Sequence, residues 1–577
     1  ARMGGICVVE HPLILGKKAD FARTAELAGR DAFVKGLFAR ARAKAETLLE
    51  QRAYTRMADE INLDAEFNRQ RLDILSFVYY MTREEKYLRR TLEELDAICA
   101  LGSWQSFKFL NTASFALGAA TAFDRLYDAL DDGQRRLYAG VIYEKALKPA
   151  MRAYDASDAE AERDFGALGW SRCKTNWNAV CNGAILAACA AVSGEYPAQA
   201  EKITACAANS LGLFTNVFAE DGGFSEGISY WFYAMLYLMH GISAAENCGA
   251  AAELPLTKGF VQSAYYADAM NFGKRNFNFH DVGTECRIDT SPIMYFAARF
   301  GLGELARRRV RAFDMGWLPV ADEVNVSDML FYRDFGGQTD AAEDICIKSI
   351  DTAVLSCGDI GIALHGGANN AVHGHLDCGS IIVDALGERW ICDLGKEPET
   401  YTLRGAAVNR WNYYRMRAEG HNCIVINPCE KPDQLPEATA PIADFAAGVD
   451  YSRAALELAE CYEEARVLRR EVYLDKINRT ALITDHIELE KECTVYSFLH
   501  TRAGVRLTKD GFELHSNGKR IAAHCSHAAS AEKAEPLPGS PNVPHQADNA
   551  GVTKIVFRLD NTKKADIRIK FEFGGEK

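Results

Sequence analysis

The sequence lacks the features that mark membrane, repeat and disulfide-rich proteins. No apolar run approaches the roughly 20 residues of a transmembrane helix. No short-period repeat and no secretory signal peptide is visible, and the 17 cysteines form no CxxC pairs. Such a scattered, odd-numbered set indicates a reducing compartment rather than a disulfide framework. We therefore expect a cytoplasmic protein. The chain opens at Ala1, so a periplasmic or secreted protein that has lost its signal peptide is the alternative.

Net positive charge is also lacking. The formal charge of -13 argues against a nucleic-acid or membrane-surface partner, since either would need a broad basic face. It also fits poorly with a long, densely sulfated polymer as ligand. The hydrophobic content of 48% and the charged content of 25% are typical of a soluble globular protein. At 577 residues, the chain is longer than a single core normally supports, which predicts two large domains.

The hydrophobic pattern changes near residue 340. From about residue 20 to 335, apolar residues recur at three- and four-residue spacing, which predicts helices. Beyond residue 340, apolar and polar residues alternate and β-branched residues are frequent, which predicts antiparallel strands joined by glycine-containing turns. The sequence thus predicts an α+β multidomain protein, with a helical domain at 1–335 and an antiparallel β domain at 336–577.

The most informative segment lies in the strand half, where residues 369–380 read NNAVHGHLDCGS ahead of an apolar strand. Residues two apart on a strand share a face, so His373 and His375 can point into one site. Asp393 and His421 lie on neighbouring strand-like segments and are able to converge with them. Such a set can bind a metal, hold an acid/base pair, or both. A buried hydrogen-bonded network without metal is the alternative.

Two segments of the helical half carry amide and aromatic side chains. Residues 174–178 read KTNWN before an Ala-rich helix, and helix capping accounts for one of the two asparagines. Residues 276–283 read NFNFHDVG and form an aromatic and polar loop that includes His280. Aromatic rings beside amides suit sugars, whose apolar faces stack while their hydroxyls form hydrogen bonds.

A third segment of the helical half, residues 220–233, reads EDGGFSEGISYWFY. Its glycines allow the backbone to pass close to a ligand. Tyr230 and Tyr233 lie about one helical turn apart, so they are rivals for one role. Either tyrosine as a plain core or rim aromatic is the alternative.

With these motifs the chain resembles the heparinase II/III-like polysaccharide lyases. The matching patterns are NxVHGHxDxGS, WxxDxG and GHN in the strand half, and TNWN and DGGxxEGxxYWxY in the helical half. The resemblance implies an incomplete (α/α) toroid followed by a two-layered antiparallel β-sandwich. It also implies β-elimination at a uronic acid, since members cleave heparan sulfate, alginate and other uronic-acid glycans.

The resemblance implies roles for individual residues. Asn176 would donate to the substrate carboxylate, and Tyr230 would be the base, the acid or both. His373 would be a base on the opposite face of the sugar or a second carboxylate ligand. The implied ligands of a structural Zn²⁺ are His375, Asp393 and His421. The expected substrate-binding residues are Trp177, Asn178, Glu226, Tyr233, His280, Arg415 and Arg417.

Three functions remain open on the sequence alone. The leading one is a lyase that acts on a uronic-acid glycan, in exo mode on short oligosaccharides, without nucleic acid or membrane partners and with self-association open. The second is an (α/α)-barrel glycoside hydrolase, which needs two facing carboxyl groups, for which Asp221 and Glu226 are candidates. The third is an inactive glycan-binding protein with the same fold.

Overall fold

The computed structural model describes residues 10–53, 61–250, 254–283, 287–318, 324–337, 343–402 and 405–574. Within these residues, the α-helices all lie before residue 332. They are α1 Lys18–Arg30, α2 Ala32–Leu49, α3 Ile61–Thr82, α4 Glu85–Cys99, α5 Phe109–Leu126, α6 Asp132–Ile142, α7 Lys148–Asp155, α8 Asp158–Arg163, α9 Asn176–Ala191, α10 Pro197–Thr215, α11 Ile228–Asn247, α12 Lys258–Ala269, α13 Pro292–Phe300, α14 Gly303–Asp314 and α15 Ser327–Phe331. None of these described helices combines the length and apolar character that crossing a bilayer requires.

Helices α9 and α11 lie at the centre of the helical half and pack unusually closely. Both are apolar nearly all round, so both are buried. A Cβ on Gly183 of α9 would lie 2.5 Å from the carbonyl carbon of Tyr237, and one on Gly241 of α11 would lie 2.3 Å from the Gly183 oxygen. The two glycines therefore bring the backbones into direct contact. This contact fixes the relative position of the helix N-termini, where Asn176 and Tyr230 lie.

The strands form most of the chain beyond residue 343. They are β1 Asn271–Phe272, β2 Arg275–Asn276, β3 Ile345–Ile347, β4 Thr352–Cys357, β5 Ile360–His365, β6 Gly367–Ala368, β7 Ile381–Ala385, β8 Glu388–Ile391, β9 Ile424–Ile426, β10 Thr439–Ala440, β11 Ile442–Ala447, β12 Tyr451–Glu457, β13 Ala465–Asp475, β14 Thr480–Thr501, β15 Gly504–Thr508, β16 Gly511–Ser516, β17 Lys519–Cys525, β18 Ser530–Lys533 and β19 Thr553–Glu572.

Two antiparallel sheets face each other in this half. The smaller has the order β3-β4-β5-β7-β8, and the larger has the order β11-β12-β13-β14-β19-β17-β16-β15, with β9 on β14 and β18 on β19. Apolar side chains of both sheets share one core, to which Leu355, Val383 and Trp390 contribute from the smaller sheet and Val472 and Phe557 from the larger. The α+β class with a C-terminal antiparallel β-sandwich is thus confirmed, and the domain boundary at 335/336 stays a prediction.

The smaller sheet is buried on both faces. Alternate residues of β4, β5 and β7 point to the larger sheet, and the residues between them, Val354, Ala363 and Ile382, belong to the core of the helical half. This explains why these strands read as continuous apolar runs, since strand side chains alternate between two apolar surroundings. The helical half therefore packs directly on the sheet from which the histidine-rich loop 369–380 extends.

Candidate active site

Tyr230 and His373 meet where the helical half packs on the smaller sheet. Tyr230 lies in the first turn of α11, and His373 lies in the loop between β6 and β7. Their rings stack with centroids 3.7 Å apart and an interplanar angle of 10°. His373 has a backbone φ of +65°, a conformation that non-glycine residues rarely adopt and that occurs preferentially at functional sites. The structure thus places the two predicted acid/base residues in direct contact.

Asp281 and Tyr401 fix one edge of the His373 ring. The Nδ1 atom of His373 lies 3.3 Å from Asp281 Oδ2 and 3.0 Å from the Tyr401 hydroxyl. The Tyr401 hydroxyl also lies 3.1 Å from the Tyr230 hydroxyl and donates to Asp281. Burial alone would raise the pKa of Asp281, but hydrogen bonds from His373 and His375 and the charge of Arg410 outweigh it and lower that pKa well below its usual range. Asp281 is therefore a fixed anion that keeps the Nδ1 proton of His373 in place.

Glu226 holds Asn176 in the site. Asn176 donates from its backbone N–H to Glu226 Oε1 at 2.8 Å and from its side-chain Nδ2 to Glu226 Oε2 at 2.5 Å. The N-cap of α9 is Thr175, so Asn176 is the first residue of the helix and its side chain is not the cap. Glu226 Oε2 lies 3.7 Å from His373 Nε2, which links the pair to the stacked rings. Burial raises the pKa of Glu226, and the hydrogen bonds from Asn176 lower it only in part.

Tyr230 is a protonated phenol over the physiological pH range. Burial raises its pKa to about 12, although the hydrogen bond from Tyr401 acts in the opposite direction. A phenol with this pKa keeps its proton at neutral pH and can donate it, and it could act as a base only after losing that proton. At neutral pH the geometry and the protonation state of Tyr230 therefore suit a general acid.

Two cationic side chains lie beside this cluster. Arg410 donates to the Gly374 carbonyl oxygen at 2.7 Å and lies 3.3 Å from Asp281 Oδ2, and its side chain is one-third exposed. The Lys396 ammonium lies 5.9 Å from the centroid of the Tyr401 ring. The chain as a whole has a net charge of -13, yet two cationic side chains lie at this place, where they can attract an acidic sugar.

A buried group of histidines and aspartates lies behind His373. His375 Nε2 lies 3.0 Å from Asp281 Oδ1, which as a carboxylate oxygen accepts the hydrogen bond, and His375 Nδ1 lies 3.2 Å from His421 Nε2. His375, His421 and Asp377 present ligand atoms within 4.8 Å of one another, and Asp377 Oδ2 is buried without a hydrogen-bond partner. Two imidazoles and a carboxylate are a donor set that suits Zn²⁺, so the residues present fit a metal ion.

Asp393 belongs to this buried group in a different way than the sequence suggests. Its Oδ2 lies 2.7 Å from His421 Nδ1 and accepts from Ser380, while its Oδ1 accepts from the Gly395 N–H. It thus orients His421 from the far side of the imidazole ring, as carboxylates commonly orient metal-binding histidines. The structure groups Asp377, rather than Asp393, with His375 and His421.

Three predicted substrate-binding residues of the helical half lie outside the cluster. Asn178 is fully buried and donates to Ser210, so substrate binding by Asn178 was a wrong expectation. Tyr233 packs on Tyr237 in the helical core. Trp177 is half-buried against Phe165, with ring centroids 5.2 Å apart. One helical turn separates Tyr230 from Tyr233, yet only Tyr230 reaches the loop of His373.

The predicted arginines have structural contacts. Arg417 is completely buried and pairs with Asp433, so it cannot bind a glycan, and that expectation was wrong. Arg415 donates to Asn549 and to backbone oxygens of Lys396 and Asp548, which anchors the loop before β19. In the sequence, Arg404, Arg410, Arg415 and Arg417 form a basic group before His421, which is either a solvated face or a binding site for an acidic sugar. Arg404 lies outside the described residues. His280 is buried beside His365 and does not contact the stacked rings.

Three residues of the site were not singled out from the sequence, namely Tyr401, Asp281 and Asp377, whereas Arg410 belongs to the basic group before His421. Asp281 follows His280 in the NFNFHDVG loop, and Asp377 lies inside the HGHLD motif, so both were within recognised segments. Tyr401 ends a short 3₁₀ turn, Pro398–Tyr401, in a segment without periodicity. No local pattern marks it, because its partners lie 120 and 171 residues away.

Comparisons with known proteins agree with this geometry. The sequence model of the family described as "Heparinase II/III-like, C-terminal" matches residues 353–569. No curated protein sequence matches the chain. Among solved structures, heparinase III aligns with 93% of this chain and 85% of its own at a TM-score of 0.61 and 14% identity.

Two further solved structures have the same architecture. A heparan sulfate lyase HepC mutant from Pedobacter heparinus gives a TM-score of 0.60 at 11% identity, over 93% of this chain and 83% of its own. A Paenibacillus xanthan lyase gives a TM-score of 0.52 at 8% identity, over 97% of this chain and 57% of its own. At these identities the likeness shows the fold, which is the expected (α/α) toroid followed by a β-sandwich.

Proposed function

The chain belongs, through its domain at residues 353–569, to the heparinase II/III-like proteins, and we propose that it is a polysaccharide lyase. Its proposed substrate is a glycan that contains a uronic acid, cleaved by β-elimination. The observation that carries this proposal is the contact between Tyr230, His373, Tyr401 and Asp281, with Asn176 held beside it by Glu226. No fold likeness is needed for that observation.

The chemistry of β-elimination sets three tasks. The carboxylate of the uronic acid must be neutralised, the C5 proton must be removed, and the departing O4 must be protonated. Donors aimed at developing charge usually contribute most. Asn176 uses one side-chain N–H on Glu226, and an amide carries two such hydrogens, so one remains for the substrate carboxylate. Arg410 supplies positive charge at the same place.

His373 is the proposed base. Its Nδ1 is engaged by Asp281 and Tyr401, so the neutral ring carries its lone pair on Nε2. Nε2 then takes the C5 proton as the C4–O4 bond breaks, the C5–H electron pair forms the C4–C5 double bond, and the Tyr230 hydroxyl gives its proton to O4. Asp281 stabilises the imidazolium that forms, and it does so without changing its own protonation state.

The stacking of the two rings constrains the stereochemistry. Centroids 3.7 Å apart are in van der Waals contact, so no sugar ring fits between Tyr230 and His373. Base and acid therefore approach the substrate from the same side, not from opposite faces. Syn elimination requires the C5 hydrogen and O4 to be cis, as in glucuronic and mannuronic acids. Iduronic and guluronic acids have them trans, so we propose that they are poor substrates.

The proposed metal is a structural Zn²⁺ bound by His375, His421 and Asp377, with Asp393 orienting His421. When bound, it would supply fixed positive charge that orders the loop of His373. The proton transfers proposed above involve only side chains of this protein and the substrate, and none of them passes through the metal ion. His375 contacts the same Asp281 that holds His373, so ligand order and base orientation are linked.

The glycoside hydrolase alternative loses its carboxylate pair in this structure. Asp221 accepts hydrogen bonds from the backbone N–H of Ser349 at 2.9 Å and from its hydroxyl at 2.5 Å. Glu226 is engaged by Asn176 instead. Both carboxyl groups are thus engaged by other residues of the chain, whereas an inverting or retaining pair must act on the glycosidic bond and a water molecule.

The test uses oligosaccharides that differ only at C5. The purified protein is incubated with chondroitin and dermatan oligosaccharides and with mannuronate and guluronate oligomers, and products are analysed by mass spectrometry. Elimination gives fragments whose masses sum to that of the substrate, whereas hydrolysis adds the mass of one water. We expect elimination on a glucuronate or mannuronate member and little on its epimer. Fragments that carry the added water would contradict the lyase, and preference for iduronate or guluronate would contradict the same-side arrangement. Exo action on oligosaccharides remains a prediction.

A further inference from the structure

A second group of potential metal ligands lies behind the active site. His280 from the NFNFHDVG loop, His365 at the end of β5 and Asp377 from the HGHLD loop present ligand atoms within 4.8 Å of one another. The side chains of His280 and His365 are in edge-on contact, with ring centroids 4.5 Å apart. All three residues are at least nine-tenths buried. None of them contacts the stacked Tyr230 and His373 rings.

Each member of this group has a polar atom without a partner. Among the described residues, His280 Nδ1, His365 Nε2 and Asp377 Oδ2 are buried and form no hydrogen bond. Buried polar atoms are nearly always paired, and an unpaired one costs about 1 to 3 kcal/mol. Three residues that converge in one place and each carry such an atom are therefore unusual. Their convergence indicates a ligand common to all three.

The charge of Asp377 points to a cation. Within the part of the chain that the structure describes, its only ion-pair contact within 4 Å is His365 Nε2, at 3.8 Å, too long for a hydrogen bond. A buried carboxylate without a Lys or Arg partner within 4 Å, and with an oxygen that accepts no hydrogen bond, favours a cation as its ligand.

We propose that His280, His365 and Asp377 bind a divalent transition-metal ion, of the zinc type, at a site separate from that of His375 and His421. Neutral imidazole nitrogens and a carboxylate oxygen are suitable ligands for Zn²⁺. His365 Nδ1 lies 2.9 Å from the Thr352 hydroxyl, which orients the ring so that Nε2 faces Asp377. A carboxylate has two oxygens, so Asp377 can serve both sites as a bridging ligand.

Solvent is available for the remaining coordination position. His280 and His365 line a cavity of about 140 Å³ between the helical half and the sheet, together with Phe224, Tyr266 and Met270. A cavity of this size holds several water molecules. Three protein ligands and one water would complete a four-coordinate site. The site would join the 277–283 loop of the helical half to the strand half, next to Asp281, which holds His373.

Metal stoichiometry tests the proposal independently of activity. The protein is stripped with a chelator, loaded with Zn²⁺, desalted and measured by elemental analysis, alongside H280A, H365Q, H421A and D377N. We expect two equivalents in the parent, one each in H280A, H365Q and H421A, and fewer than one in D377N. The exposed His524 serves as a control, and H524A should keep two. Circular dichroism of each stripped variant shows whether it folds.

The outcomes separate this site from the one proposed for the lyase. If the parent binds one equivalent of Zn²⁺, and H365Q loses it while H421A keeps it, the site of His280, His365 and Asp377 is supported and the site of His375 and His421 is rejected. If H280A and H365Q both bind as much Zn²⁺ as the parent, the site of His280, His365 and Asp377 is overturned. It is also overturned if the parent binds one equivalent and only H421A loses it. The midpoint of thermal unfolding is a second readout. Zn²⁺ should raise the midpoint of H421A, and it should raise the midpoint of H365Q less than it raises that of the parent.

Discussion

The Tyr401 hydroxyl joins the stacked rings of Tyr230 and His373 to the buried anion Asp281. It lies 3.1 Å from Tyr230, 3.0 Å from His373 Nδ1, and donates to Asp281. Tyr401→Phe removes this link but keeps the ring, so His373 and Tyr230 lose orientation rather than contact with substrate. We expect kcat to fall about 10- to 100-fold with KM little changed. The measurement is steady-state kinetics, with Tyr473→Phe on the outer face of β13 as control. A rise in KM at constant kcat would assign Tyr401 to substrate binding instead.

His240 makes the helical half sensitive to acid. It is buried in α11, and burial lowers its pKa from an ordinary 6.5 to about 4, although Asp73 acts in the opposite direction. Because the folded pKa lies below the unfolded one, neutral His240 contributes stability that is complete above about pH 6.5 and is lost as the pH falls toward 4. At 1.36 kcal/mol per pKa unit, the loss is roughly 3 kcal/mol.

His240→Gln removes this titration. The free energy of unfolding of the variant, measured with urea at several pH values, should decline less than that of the parent between pH 6.5 and 4.5. His524→Gln on the surface is the matched control and should leave the slope unchanged. Parallel curves for His240→Gln and the parent would show that the pKa of His240 is the same in the folded and the unfolded protein, which would contradict this prediction.

For individual residues, the sequence motifs predicted which residues belong to the site, but they did not predict which residues contact one another. The TNWN and EGxxY motifs located Asn176, Glu226 and Tyr230, which the fold brings together. The same motifs also suggested Asn178, which α9 turns toward Ser210 in the core. Side chains two positions apart on a helix point in different directions, so both asparagines could not face one site.

Among the secondary-structure elements, the close packing of α9 on α11 holds Asn176 and Tyr230 in their relative positions. Gly241→Ala would put a methyl group 2.3 Å from the Gly183 carbonyl oxygen, so the helices must separate. We expect a loss of about 1 to 3 kcal/mol in the free energy of unfolding. In α1, a Cβ on Gly29 meets no atom within 4 Å, so Gly29→Ala should be neutral or stabilise by about 0.5 to 1 kcal/mol. Equal effects of the two variants in urea unfolding would contradict the close approach.

Element types were predictable from periodicity, and interruptions were less so. The apolar spacing of residues 134–153 predicts one helix, but a π-helical turn at Tyr143–Leu147 divides it before α7, because Pro149 has no N–H to donate to the preceding turn. The alternation of residues 480–488 and 494–501 predicts two strands, but they form the single strand β14, whose pairing with β19 shifts register between Glu488 and Cys493. Alternation is lost at such a shift although the strand continues.

On the scale of the whole molecule, the site exists only where the two halves meet. Asn278 of the helical half donates to the Asp393 carbonyl oxygen at 3.1 Å and accepts from Arg389 at 3.1 Å. Asn278→Ala leaves these buried groups without that partner, which we expect to cost about 1 to 3 kcal/mol and to lower kcat. Urea unfolding and kinetics measure the two effects, and Asn209→Ala on the exposed face of α10 is the control. A stable variant with full activity would show that this contact does not position the site.

The two-part architecture was predictable because composition and periodicity change near residue 340. The relation between the halves was not, since it rests on pairs such as Asp221 with Ser349 and Asp281 with His373, which are 128 and 92 residues apart. A single sequence contains no signal for such pairings. The resemblance to a known family supplied the expected arrangement, and the structure supplied Tyr401, Asp281 and Asp377.

The central claim is that Tyr230 acts as the acid in β-elimination. The most direct measurement follows the ultraviolet absorbance of the conjugated double bond in parent, Tyr230→Phe and Tyr233→Phe proteins, with glucuronate and mannuronate oligosaccharides as substrates. We predict a steady rise for the parent and Tyr233→Phe, and a rate lower by at least about 100-fold for a folded Tyr230→Phe. A Tyr230→Phe rate close to that of the parent, or release of reducing ends without absorbance, would contradict the account.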